Sequence, residues 1–107
     1  MDFALTEEQR MLQQSIEGFL ETNCPLDAVR IAASSGTTRV TEIMSGLSEL
    51  GVPGIIIPEE YGGVELGFLE AALISEALGA VAAPVPFVAT SVMAPLAILK
   101  GGNDAQK

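Results

Sequence analysis

The stretch from Leu50 to Glu76, LGVPGIIIPEEYGGVELGFLEAALISE, constrains the fold more than any other. Gly51 ends a helical run, and Pro53 cannot continue it. Ile55-Ile56-Ile57, closed by Pro58, reads as a short extended, buried segment. Glu59-Glu60-Tyr61-Gly62-Gly63 is a polar turn with two residues free to take positive φ. From Gly67 the helical pattern returns. The stretch is therefore one ordered loop crossing between two helices.

On either side of the loop the hydrophobic period is helical. Thr6-Glu7-Glu8-Gln9 fits a capping box, and its two acids suit the helix dipole. Leu12, Ile16, Phe19 and Leu20 then form a stripe up to about Asn23, with Glu17 and Glu21 on or beside the other face. After Pro25 a short second helix runs from Leu26 to Ala33, with Leu26, Val29 and Ala33 in period. Ser34-Ser35-Gly36-Thr37-Thr38 is a loop by composition. Val40, Ile43, Met44, Leu47 and Leu50 predict a third helix from about Thr38 to Leu50. Leu69, Leu73, Ala77 and Ala80, with Ala72 and Glu76 alongside, mark a fourth.

No charged residue occurs from Ala77 to Leu99. That length could span a bilayer, but Pro84, Pro86 and Pro95 each remove a backbone donor. The run also has no flanking basic cluster or aromatic belt, and no second span to rescue its backbone. The better reading is a helix ending near Ala83, a Pro84-Val85-Pro86 connector, and a buried helix from about Phe87 that Pro95 bends. A helix apolar all round belongs inside a larger body. Gly101-Gly102 stops it, and Asn103 with Gln106 then resembles the start of another helix. The chain ends one turn later, so it reads as part of a longer protein.

Composition narrows the function classes. Of 107 residues, 49% are apolar, which is oily for a free-standing domain and implies an apolar face meant for something else. Five basic against fourteen acidic residues argue against nucleic acid and anionic membranes as partners. A single cysteine, Cys24, excludes an internal disulfide and reads as structural. With no histidine present, no metal site and no Ser-His or Cys-His catalytic pair is expected. The N-terminus does not read as a signal peptide, which points to the cytoplasm. Gly62-Gly63 with Gly67 lacks the spacing of a dinucleotide fingerprint. Glu59 and Glu60 read as solvating acids, Glu76 as a buried structural carboxylate, and Met44 and Met93 as core.

The blocks DFALTEEQRMLQQSIEGFLE, LGVPGIIIPEEYGG, LISEALG and GGNDAQK together resemble the N-terminal helical domain of the flavin-dependent acyl-CoA dehydrogenases. They come in the family's order and spacing and span essentially the whole chain. The resemblance implies that residues 1–107 are that domain, with the middle β-domain and C-terminal helical domain absent. It also implies a parent that oxidises acyl-CoA thioesters to 2,3-enoyl-CoA with FAD, passing electrons to an electron-transfer partner, as a homo- or hetero-oligomer. FAD is expected in the parent and not on this chain alone, and no catalytic residue is expected here. By resemblance Ala89, Thr90 and Met93 lie on the acyl-pocket side of the last apolar helix; an uncharged helix of small, flexible side chains suits an acyl chain. Ala77 stands where many relatives carry a second carboxylate, and the AVAAPVP connector resembles a subgroup acting on bulkier or less usual acyl groups. A non-enzymatic helical interaction module is the competing reading. Either way the fold is expected to be all-α, four or five helices with an irregular crossing loop at about 51–67, associating with itself when alone.

Overall fold

The capping box forms as the sequence predicts. Thr6 Oγ1 accepts from the Gln9 amide at 3.2 Å, and Gln9 Oε1 accepts from the Thr6 amide at 2.9 Å. From there the computed structural model, which describes residues 3–36 and 40–107, is helical with no strand among the described residues. Helix α1 spans Glu7–Asn23, α2 Leu26–Ser35, α3 Thr41–Glu49 and α4 Phe68–Ala80. A π-wound segment at Val88–Met93 runs directly into α5, Ala94–Gly101. This is the expected all-α architecture. Thr37 and Thr38, the expected end of a loop and start of α3, lie outside the described residues.

Ile16 and Leu20 of α1 meet Ile43 and Leu47 of α3, Ala71, Ile74 and Leu78 of α4, and Phe87 in one buried cluster. Val52 and Ile55 of the crossing loop plug it. The α1–α3 approach is close because Gly46 leaves room for the Phe19 ring, into which a Cβ would run. The N-termini of α1 and α4 are tied side chain to side chain. Gln9 Nε2 donates to Glu70 Oε1 at 3.2 Å while Glu70 Oε2 accepts from the Gly67 amide at 3.0 Å. Each of these two residues caps its own helix and holds the other.

The isoleucine run is not extended. Ile55 sits at φ −59°, ψ −37°, and follows a 3₁₀ turn at Val52–Gly54. Pro53, with φ fixed in the helical range, favours that turn, and the Ile55 and Ile57 amides donate to Val52 and Gly54 carbonyls at 3.2 and 3.1 Å. Of the three isoleucines only Ile55 is fully buried. The chain then doubles back through a second turn at Glu59–Tyr61. Val64, Glu65 and Leu66 donate to the carbonyls of Gly54, Ile57 and Ile55 at 2.9, 2.9 and 2.8 Å, closing a clasp. Gly62 takes the positive φ of 87°; Gly63 does not, but its missing Cβ is needed because one would strike the Ile57 backbone.

The core-facing stripes of α2 and α4 also differ from expectation. In α2 the buried residue is Ala32, while Leu26 and Ala33 are exposed. In α4 Leu69 and Ala80 are exposed and Ala71, Leu73, Ile74, Ala77 and Leu78 are buried. Apolar side chains surround this helix, so periodicity alone does not select its inner face. Glu76 points to solvent rather than into the core. Helix α4 also stops at Ala80, not Ala83. Ala82 adopts φ 52°, and the Ala82 and Ala83 amides donate to Gly79 and Leu78 carbonyls at 3.1 and 2.9 Å, the Schellman pattern.

The last helix is the largest departure. Expected to be buried, it buries only Phe87 and Ser91, and Val88, Met93 and Ile98 are exposed. Met93 is thus not core. Among the described residues no further layer lies over that face. The same openness shows in the whole: the radius of gyration is 14.7 Å, against about 13 Å for a compact chain of this length. The accessible surface of 6888 Å² exceeds by roughly 1,200 Å² that of a compact monomer of this mass.

Candidate functional site

Where the clasp meets α5, an apolar hollow of about 190 Å³ opens. The clasp contributes Ile57 and Tyr61; the final helix contributes Thr90, Ala94, Pro95, Ile98 and Leu99; Gln106 and Lys107 border it. Its size compares with that of an engineered apolar cavity of about 150 Å³ that binds benzene in another protein. The clasp hydrogen bonds fix Ile57, and the π-wound segment fixes which residues of the last helix reach the hollow.

Of the three residues expected on a pocket wall, Thr90 lines this hollow. Ala89 borders a different groove with Ser75, Gly79 and Phe87, and Met93 is 63% exposed and lines neither. Ile57, Tyr61, Pro95, Ile98 and Leu99 were not expected. The Thr90 hydroxyl donates to the Pro86 carbonyl at 2.7 Å, back-bonding within its own helix.

The hydrogen bond from the Gln9 side chain, then one from its own backbone amide, hold the Glu70 carboxyl below its usual range, opposed by desolvation and helped by the Gly67 amide. Burial pushes the Cys24 thiol up, as suits a structural cysteine. Among the described residues no cluster of His, Cys, Asp or Glu could hold a metal ion. No described helix is long and apolar enough to cross a membrane.

The profile of the acyl-CoA dehydrogenase N-terminal domain matches residues 6–107. The chain belongs to the acyl-CoA dehydrogenase family. Isovaleryl-CoA dehydrogenase, mitochondrial, from Bos taurus is 36% identical over 105 residues, 96% of this chain and 25% of the relative. An acyl-CoA dehydrogenase from Mycolicibacterium smegmatis is 30% identical over 100 residues, covering 92% of the chain and 32% of the relative. Acryloyl-CoA reductase (NADH) from Anaerotignum propionicum is 34% identical over 108 residues, 100% of the chain and 27% of the relative. The chain thus spans about a quarter of the length of the first of these relatives. No solved structure gives a significant match.

Proposed function

We propose that this domain supplies one wall of the acyl pocket, and a packing face, in a flavoenzyme that oxidises acyl-CoA thioesters to the 2,3-enoyl-CoA. The observation that carries the reading is the hollow itself: apolar, of a size for a short or branched acyl group, and built where the family-matched loop meets an uncharged helix. Thr90 is its one member that the resemblance also names. Ala89 and Met93 lie on adjoining surface of the same helix and would reach an acyl group only once a further layer covers them.

The chemistry that flavin supplies, accepting a hydride from the β-carbon, and the carboxylate that takes the α-proton are assigned to parts of the parent outside this chain. The Gly62 and Gly63 amides already donate to Glu59 and Pro58 carbonyls at 2.9 and 3.1 Å. What this chain does is bind and orient: Ile57, Ile98 and Leu99 exclude water from the chain's flank. The exposed apolar surface supports a homo- or hetero-oligomeric parent that meets an electron-transfer partner. A lone, buried, reduced cysteine is compatible with a cytoplasmic setting.

Titrating the isotope-labelled chain with short-chain acyl-CoA thioesters tests the pocket. The resonances of Ile57, Thr90 and Ile98 should shift together, and Ile98→Glu should abolish the response. Shifts spread over the surface without that focus would refute it. The excess exposed surface also favours a second role in subunit association, read by sedimentation as concentration-dependent self-association; a strict monomer at high concentration would count against it.

A further inference from the structure

One residue that lines the hollow has a backbone carbonyl that its own helix passes over. Through Val88–Met93 the winding is π, and the Ala94 amide donates to the Ala89 carbonyl five residues back. In an α-helix that amide would serve Thr90. In the π register the donor to Thr90 would be residue 95, but this is Pro95, which has no amide hydrogen. Both registers therefore skip the Thr90 carbonyl. Thr90, Ala94 and Pro95 all line the hollow, whose other walls are mainly apolar.

We propose that the Thr90 carbonyl is a hydrogen-bond acceptor for the ligand, so that the hollow prefers an acyl chain bearing a hydroxyl or amide donor over a plain one. This rests on the acyl-pocket reading and adds the chemistry of the chain. A plain chain entering the hollow displaces water from the carbonyl and gives nothing in return, whereas a donor on the chain restores the bond. Pro95 is the positioning residue, because its missing amide is what keeps the acceptor open.

The test compares 1-pentanol with butyl methyl ether, isomers of which only the alcohol can donate. In the labelled chain both should shift Ile57 and Ile98. The alcohol should bind about three- to tenfold tighter, and it alone should move the Thr90 carbonyl carbon. Pro95→Ala supplies an amide and lets the helix relax, so the alcohol's advantage over the ether should vanish, whatever the shift in the affinity the two share through the altered wall; circular dichroism checks that the variant is folded. Equal affinity for the isomers in the unaltered chain overturns the inference and leaves the pocket standing. An advantage that persists in folded P95A overturns it as well. If neither isomer reaches the hollow, the acyl-pocket reading fails and the inference falls with it. The carbonyl shift in the unaltered chain decides the matter without the variant.

Discussion

Replacing Gly63 by alanine should damage this domain more than the same change at its neighbour Gly62. A Cβ there would run into the carbonyl and Cβ of Ile57, which are held in place rather than free to swing aside. That same carbonyl accepts the Glu65 amide at 2.9 Å, and the Gly63 amide donates to Pro58 at 3.1 Å. To make room, the two sides of the clasp must separate. Overpacking of this kind costs about 1–3 kcal/mol, and weakening one of those bonds adds about 1 kcal/mol. Gly63→Ala should therefore cost about 2–4 kcal/mol. Gly62→Ala is the internal control. It has φ 87° and nothing within 4 Å of a built Cβ, so only the left-handed backbone penalty applies, about 1 kcal/mol. Urea unfolding followed by far-ultraviolet circular dichroism should show a lower midpoint for both, with slopes unchanged and the larger drop for Gly63. A Gly63 variant no less stable than the Gly62 variant would refute the clasp. Because the clasp carries Ile57 and Tyr61, ligand-induced shifts in the hollow should also weaken in the Gly63 variant alone.

Ala82 holds a left-handed φ of 52° at the end of α4, so Ala82→Gly should stabilise by about 0.5–1 kcal/mol, the relief of strain exceeding glycine's entropy cost; a fall in melting temperature would contradict it. The Glu70 carboxyl is depressed in the folded state, chiefly by Gln9. Its contribution to stability is fully present above the ordinary carboxylate pKa and is lost as pH falls through the folded value. Glu70→Gln should flatten the acid limb of the stability profile, and an unchanged limb would show that the α1–α4 tie is energetically silent. Cys24 is buried with a raised thiol pKa; thiol reagents at mildly alkaline pH should label it slowly in the native chain and rapidly in denaturant, and equal rates would place it at the surface.

Much of the fold is legible in the sequence because two signals are local. The Thr6–Gln9 capping box needs no distant partner, and the stripe Ile16–Leu20 has polar neighbours that leave only one possible inner face. Where those conditions lapse, so does the reading. Three consecutive isoleucines carry no period, and turn and strand are then told apart only by the flanking prolines and the clasp's long-range bonds. Helix α4 carries apolar residues around most of its circumference, so its buried face is chosen by Ile16, Leu20 and Phe87 more than by its own pattern. The hollow was half legible. Thr90 is named by resemblance together with Ala89 and Met93, which do not line the hollow, and Ile57 and Tyr61 reach it only because the clasp brings residues more than 30 positions away against α5. Pro95 was the available signal. A proline within an uncharged helix must disturb a backbone bond, and that disturbance marks the hollow.

The distribution of charge and the distribution of exposure disagree, and the disagreement has a consequence for the parent molecule. Acids occupy the solvent faces of the helices and the tip of the clasp, at Glu17, Glu21, Glu42, Glu49 and Glu59. None lies between Ala77 and Leu99, although Val88 and Met93 in that run are 49% and 63% exposed. A surface kept free of charge while facing water wastes roughly 25 cal/mol for each square ångström of apolar area left uncovered. Over the whole chain, which also exposes Phe3, Met11 and Ile31 elsewhere, the excess over a compact monomer is roughly 1,200 Å², against the roughly 800 Å² that one partner contributes to a standard stable interface. Thr90 and Ile98 of the same uncharged run line the hollow, so a partner packed over that run would also roof it. Acyl binding and the packing of this domain against its cover should then be coupled: ligand in the hollow adds apolar contact to the same interface, and a loosened interface opens the hollow to water.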